Sequence, residues 1–316
     1  MMTRLVLQRV LMGILTLWLV SVLIFAGTEL LPGDVASAIL GQSATPETVA
    51  ALRATLGLGQ PAALRYGAWL VHFMQGDLGV SLANDQPIGA ALVPRLHDTL
   101  FLAGYTALIA IPFAVALGIV SAIHAGGVLD RVANLLSLAS ISMPEFFIGY
   151  VLIAILAVRF PILPSLAMVS PDMTLSERLH ATTLPMLTLF FAVTAHMMRT
   201  TRASVLAVMG SAYVETAILK GLPKWRIVAQ HAFPNALAPV INAVSLNLAY
   251  LIVGVIMVEV VFVYPGVGQL MVDAVSKRDL PVVQACGMLF ALAYVGLNTL
   301  ADVLAVWANP RLRHAR

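Results

Sequence analysis

RTTRASVLAVMGSAYVETAILKGLPKWRIVAQHAFPNALAP, running from Arg199 to Pro239, is the one long polar and basic interruption between two strongly apolar runs. Tyr213 to Lys220 has helix-forming composition. Gly221 suits the position just past a helix end, where a positive φ is needed, and Pro223 cannot continue the preceding helix. The stretch therefore predicts a short helix, a sharp stop, and a second segment that leads back into apolar sequence. Within it, Glu215, Ala217, Gly221 and Pro234 stand at the spacing E-x-A-x3-G-x12-P.

Composition says what lies on either side of that interruption. Of 316 residues, 60% are hydrophobic and only 10% charged, with a mean hydropathy of +0.94, whereas soluble domains carry about 25% charged residues. This is the composition of an integral membrane protein. The net charge of +3 does not point to nucleic acid, because Lys and Arg sit beside apolar runs and form no stripe with aromatics. The single cysteine, Cys286, lies in an apolar run, where helix packing is its expected role; it gives no disulfide framework and no thiolate metal site.

Working outward, Val10 to Ala26 is close to the length that crosses ~30 Å of hydrocarbon, and with Glu29 behind it makes a first span over residues 1–30. The alternative, a cleaved signal peptide ending near Ala36-Ser37-Ala38, requires a shorter apolar region. Residues 31–98 change to amphipathic pieces punctuated by Pro and Gly and are expected outside the membrane. Thr45 is a plausible N-cap with Pro46 behind it, Val49, Leu52 and Leu56 share a face, and Gly57 ends that helix; a second amphipathic helix is expected over 61–75. Residues 99–316 then hold five further spans. The second runs from Thr99 to Ile123, and the third from Val132 to Val158 is broken at Ser142-Met143-Pro144-Glu145. The fourth opens at Leu184 and projects past Arg199 toward Met209, the fifth is Ala236 to Val261, and the sixth is Val282 to Ala308. Of the 18 Lys and Arg, eleven fall on the inner segments of this arrangement, the short inner loops being the richer, as positive residues do on the cytoplasmic side. The expected fold is thus all-α with six transmembrane helices, both termini cytoplasmic, an external amphipathic segment, and a cytoplasmic helix within residues 199–235.

Polar residues inside the spans are few and costly. A carboxylate at the depth of Glu145 costs ~2.5 to 3.5 kcal/mol unless it faces protein or water. Glu145, Asn242, Ser245, Asn247 and Glu259 therefore mark a candidate substrate pathway, against the plainer reading that they are hydrogen-bonded glue between helices. His196, with no His or Cys four residues on, reads as a helix-end residue and not as a metal ligand. No phosphate loop, no H-E-x-x-H and no nucleophile elbow occurs, so the chain carries neither catalytic nor metal-binding residues of those kinds.

The E-x-A-x3-G-x12-P loop resembles the cytoplasmic signature loop of permease subunits in bacterial ABC importers. In that pattern a second Ala follows the Glu and an Ile and a Leu precede the Pro; here Thr216, His231 and Phe233 occupy those places. The stretch from Glu47 to Leu82, with Gly76-Asp77-Leu78-Gly79 and Ser81, and the Glu259 to Gln284 stretch with Tyr264-Pro265-Gly266 and Gly268, resemble the dipeptide and oligopeptide branch. The resemblance implies a multi-pass bacterial inner-membrane subunit that moves di- or oligopeptides by alternating access. It implies a second homologous permease, two ATPase subunits that bind ATP and Mg, an external solute-binding protein, and no cofactor in this chain. Tyr213, Glu215, Ala217, Lys220, Gly221 and Pro234 would then couple to the ATPase, Glu215 offering charge and Ala217 a small surface for close approach. An ion-coupled secondary transporter using Glu145 and Glu259 stays open beside it, and so does an intramembrane enzyme.

Overall fold

The computed structural model describes residues 2–30, 36–37, 44–55, 57 and 59–308. The expectations for Leu56 and for the basic tail at Arg311, Arg313 and Arg316 lie outside them. Helices run in the order α1 (Met2–Glu29), α2 (Pro46–Thr55), α3 (Ala62–Met74), α4 (Ile88–Ile123), α5 (Val128–Ser142) and α6 (Glu145–Ile153). They continue as α7 (Leu175–Ala181), α8 (Thr183–Met209), α9 (Ala212–Leu219), α10 (Lys224–Ile227), α11 (Phe233–Phe262), α12 (Val267–Ser276) and α13 (Leu280–Ala308). Among the described residues the only β pairing is an isolated bridge between Val80 and Pro87. Backbone groups with no water to bind must be satisfied within a helix, and this chain meets that demand helically throughout its apolar parts.

Among the described residues four helices, α1, α4, α11 and α13, are long and apolar enough to cross a bilayer; counting the bent pairs α5 with α6 and α7 with α8 as one span each raises the number to six. The break at Ser142–Glu145 is far sharper than a proline kink, since α5 and α6 meet at 103°. Pro144 at the N-cap of α6 has no N–H to give, and Met143 takes an extended backbone, so the helical ladder is interrupted outright. The second long helix begins at Ile88, eleven residues before the apolar run that marks it in the sequence. Pro87 at its N-cap presets the start, and Pro94 in its second turn does not stop it.

α4, α8 and α11 form the centre. Leu102, Leu189, Val193, Leu251 and Phe262 are buried between them. In lipid such packing is van der Waals contact and close backbone approach and gains little from water exclusion. Gly118 shows the approach: a methyl group there would sit 2.7 Å from the Met198 carbonyl oxygen and 2.8 Å from Thr201 Cβ. α1 lies on the outside with α13 as its main neighbour, Gly13 sitting under Thr299 and Gly287 under Ile24, and Arg9 bound to Asp302 at 2.8 Å. The amphipathic α3 folds back on the end of α1. There Tyr66 bonds Ser21 at 2.8 Å, Phe25 meets the Tyr66 and Trp69 rings, and Arg65 pairs with Glu29.

Two polar networks fix the ends of the bundle. At one end the Asp130 carboxylate accepts from both the Nε and Nη2 of Arg202, from the Ser121 hydroxyl, from the Gly126 N–H and from Asn134. It thereby joins the α4–α5 turn to α8. At the other end Asp279 accepts from the Ser81 hydroxyl and the Leu82 N–H, which fastens the segment after α3 to the start of α13.

Candidate coupling loop and intramembrane cavity

The loop from Arg199 takes the form that its glycine and proline dictate. α9 ends at Leu219, Gly221 adopts φ +75°, and its N–H bonds the Ile218 carbonyl at 2.9 Å while the Leu222 N–H reaches Ala217 at 3.3 Å. These are the two bonds of a Schellman stop, which a residue with a Cβ joins only under strain. Pro223 then caps α10, whose last residues unwind into a π turn over Val228–Ala232 before α11 begins with Pro234 in its first turn.

α9 presents two different faces. Val214 and Ala217, three residues apart, point inward with Ile227 against Val208, Met209 and Leu222, which attaches the helix to the end of α8. Ala217 is 6% exposed. This corrects the expectation that it offers a small outward surface: its size serves close packing within the loop. The outward face carries Tyr213, Glu215, Ile218, Leu219 and Lys220, with Leu219 82% and nearby Trp225 61% exposed. Leu219 and Trp225 are the residues that sequence reasoning passed over. A bare Leu and Trp on a polar loop were the available signal, since exposed apolar side chains rimmed by charge mark contact surfaces.

A cavity of about 540 Å³, open to the surface of the chain, lies where α5, α6, α8 and α11 meet. Glu145, His196, Thr200, Asn242, Asn247 and Tyr250 are among its walls. The structure thus brings together three of the five sequence-marked polar residues. Ser245 and Glu259 are not among the lining residues. The α11 face follows the helical period: 239, 242, 243, 246, 247 and 250 point one way, and Ser245 falls off that stripe. His196 and Thr200, one turn apart on α8, complete the wall, so the histidine set aside as a helix-end residue faces the cavity.

Glu259 is instead enclosed. Its carboxylate accepts from the Thr99 hydroxyl at 2.6 Å and the Gln269 N–H at 3.1 Å, and the Thr99 hydroxyl accepts in turn from the Val267 N–H at 2.9 Å. Gly266 leaves room for this carboxylate and Gly268 passes over it, a methyl group at 268 falling 2.9 Å from Glu259 Oε2 and 2.7 Å from Ile256 Cα. The Y-P-G-V-G turn is therefore the shape that lets backbone donors close over a buried acid. Tyr264, fully buried, donates to the Asp98 carbonyl at 2.6 Å, and burial pushes its phenol up, keeping it a donor. Asp98 pairs with Arg178, whose guanidinium lies 4.1 Å over the Phe101 ring.

Residues 114–314 match the family described as binding-protein-dependent transport system inner membrane component, and residues 2–103 match its N-terminal membrane component. The glutathione transport system permease proteins GsiC of Salmonella typhi and of Escherichia coli strain K12 are each 36% identical to this chain over 313 residues, covering 99% of it and 100% of the relative. This kinship sets the ion-coupled reading aside. The chain is a multi-pass bacterial inner-membrane protein and belongs to the binding-protein-dependent permeases of ABC importers, in their peptide branch.

Proposed function

We propose that this permease crosses the membrane six times with both termini in the cytoplasm. It works beside a second homologous permease, receives cargo from an external solute-binding protein and is driven by two ATPase subunits that bind ATP and Mg. Di- and oligopeptides are the proposed cargo, and the relatives named for glutathione, a peptide-like solute, support that class. The observation that carries the ATP-driven reading is α9: a short rigid helix, stopped by Gly221, that hangs from α8 and shows Tyr213, Glu215, Leu219 and Lys220 outward. Such a helix suits a cleft on a moving ATPase. Its displacement would pull α8 and the α10–α11 entry, whose side chains share the cluster of Val205, Val228, Ala232 and Ala236, and rock the central helices about the cavity.

Purification with the partner subunits and reconstitution into liposomes tests this. The assembly is expected to take up peptide only with ATP and to continue in the presence of a proton uncoupler; uptake by the isolated chain without any ATPase would refute it. The topology has its own check. A cysteine replacing Asn84, exposed beside the Asp279 clasp, should react with an impermeant thiol reagent only from the outer face, and labelling from the cytoplasmic face alone would invert the arrangement.

A further inference from the structure

We propose that the cavity at the α5–α6 break is a recognition site for a primary ammonium group of the passing cargo, with Glu145 as its counter-charge. The inference rests on the importer reading above and adds to it the chemistry the pathway selects. Among the lining residues Glu145 is the one carboxylate and His196 the one imidazole, and no Lys or Arg is present. The site has no fixed positive charge to hold a carboxylate.

What it does have is free acceptors. Glu145, half-buried at the first turn of α6, makes no hydrogen bond or ion pair among the described residues. The Asn242 side chain likewise has no partner among them, and Asn247 donates to the Ala243 carbonyl at 2.8 Å, which leaves its amide oxygen unused. Tyr250 adds a hydroxyl and a ring face from the next turn of the same stripe. The contrast with Glu259 and Asp130, both saturated by donors, shows that this fold satisfies its acids where they are structural. The Glu145 carboxylate, partly open to the cavity and without a partner among the described residues, stays available to a ligand. An ammonium supplies one positive charge and three donors, which a carboxylate, two amide oxygens and an aromatic face can receive together.

The test reads local charge directly. In the assembled transporter, Cys286→Ala removes the native thiol and Ser140→Cys introduces one in the cavity wall, away from the proposed acceptors. Its reaction with a cationic trimethylammonium-ethyl methanethiosulfonate is compared with that of the anionic sulfonatoethyl reagent. The cation is expected to react about tenfold faster relative to a free thiol, from the charge of one carboxylate on the same cavity at intermediate dielectric. Glu145→Gln should abolish that preference and Glu145→Asp should keep it. Millimolar tri-alanine should protect the introduced thiol, and N-acetyl-tri-alanine should not. A ratio unchanged by Glu145→Gln, or equal protection by the two peptides or by neither, overturns the proposal. Failure of the whole assembly to drive ATP-dependent uptake would count against the importer reading instead, and the reagent ratio would still decide the charge preference of the cavity.

Discussion

Gly221→Pro is expected to reduce recovery of the ATPase subunits with this permease by more than tenfold, while the chain still inserts and unfolds at nearly its original temperature. Proline fixes φ near −65° and has no N–H, whereas position 221 sits at φ +75° and donates to the Ile218 carbonyl. The Schellman stop cannot form, so α9 ends elsewhere and the line from Leu219 to Trp225 changes direction. Nothing of the central bundle touches Gly221: a methyl group there meets nothing within 4 Å. Gly221→Ala keeps the N–H and suffers only the left-handed penalty of ~1 to 2 kcal/mol, and should retain most of the binding. Equal ATPase recovery by wild type and Gly221→Pro in a pull-down would show that the geometry of this stop is irrelevant to docking.

Arg202→Met is expected to lower the stability of the purified chain by ~3 kcal/mol, the lower part of the range for orphaning a buried charge. The lower part applies because the Arg202 side chain is 26% exposed, although that of Asp130 is only 5% exposed. The Asp130 carboxylate would keep Ser121, Gly126 and Asn134 but lose the bidentate guanidinium. Asp130→Asn combined with Arg202→Met removes both charges and should recover more than half of the loss, since the remaining groups are neutral and the pair no longer leaves one ion alone. Thermal unfolding in detergent measures both. A double variant no more stable than Arg202→Met would mean that packing around α8, and not charge, sets the effect.

The parts of this fold written in local chemistry were legible from the sequence. Gly221 and Pro223 stop a helix wherever they occur in this order, and α9 ends within a residue of where they predict. The α11 stripe was also present as a period, but its polar members were collected by type and not by angle, so Ser245 was grouped with Asn242 and Asn247 although it points elsewhere. What stayed hidden depends on partners distant in the chain. Glu259 is structural because Thr99, 160 residues away, bonds it. His196 lines a cavity because the α5–α6 bend leaves space beside it. No short window of sequence contains both members of any such pair, and the 103° bend itself was visible only as a proline near the middle of an apolar run.

The pairing of α1 with α13 sets a condition on biogenesis. α1 has as its main neighbour the helix that begins at Leu280, and only 6% of the α1 apolar window is buried in the finished fold. At translation rates of ~5–20 residues per second, the wait between them is roughly 12 to 50 s. Throughout that interval α1 has the α3 contacts at one end to hold it, with Arg9 still lacking Asp302. A nascent chain halted before residue 280 would therefore be held by an anchor not yet joined to its main neighbour, and the quality-control proteases of the bilayer would have an opening that closes only once α13 has joined.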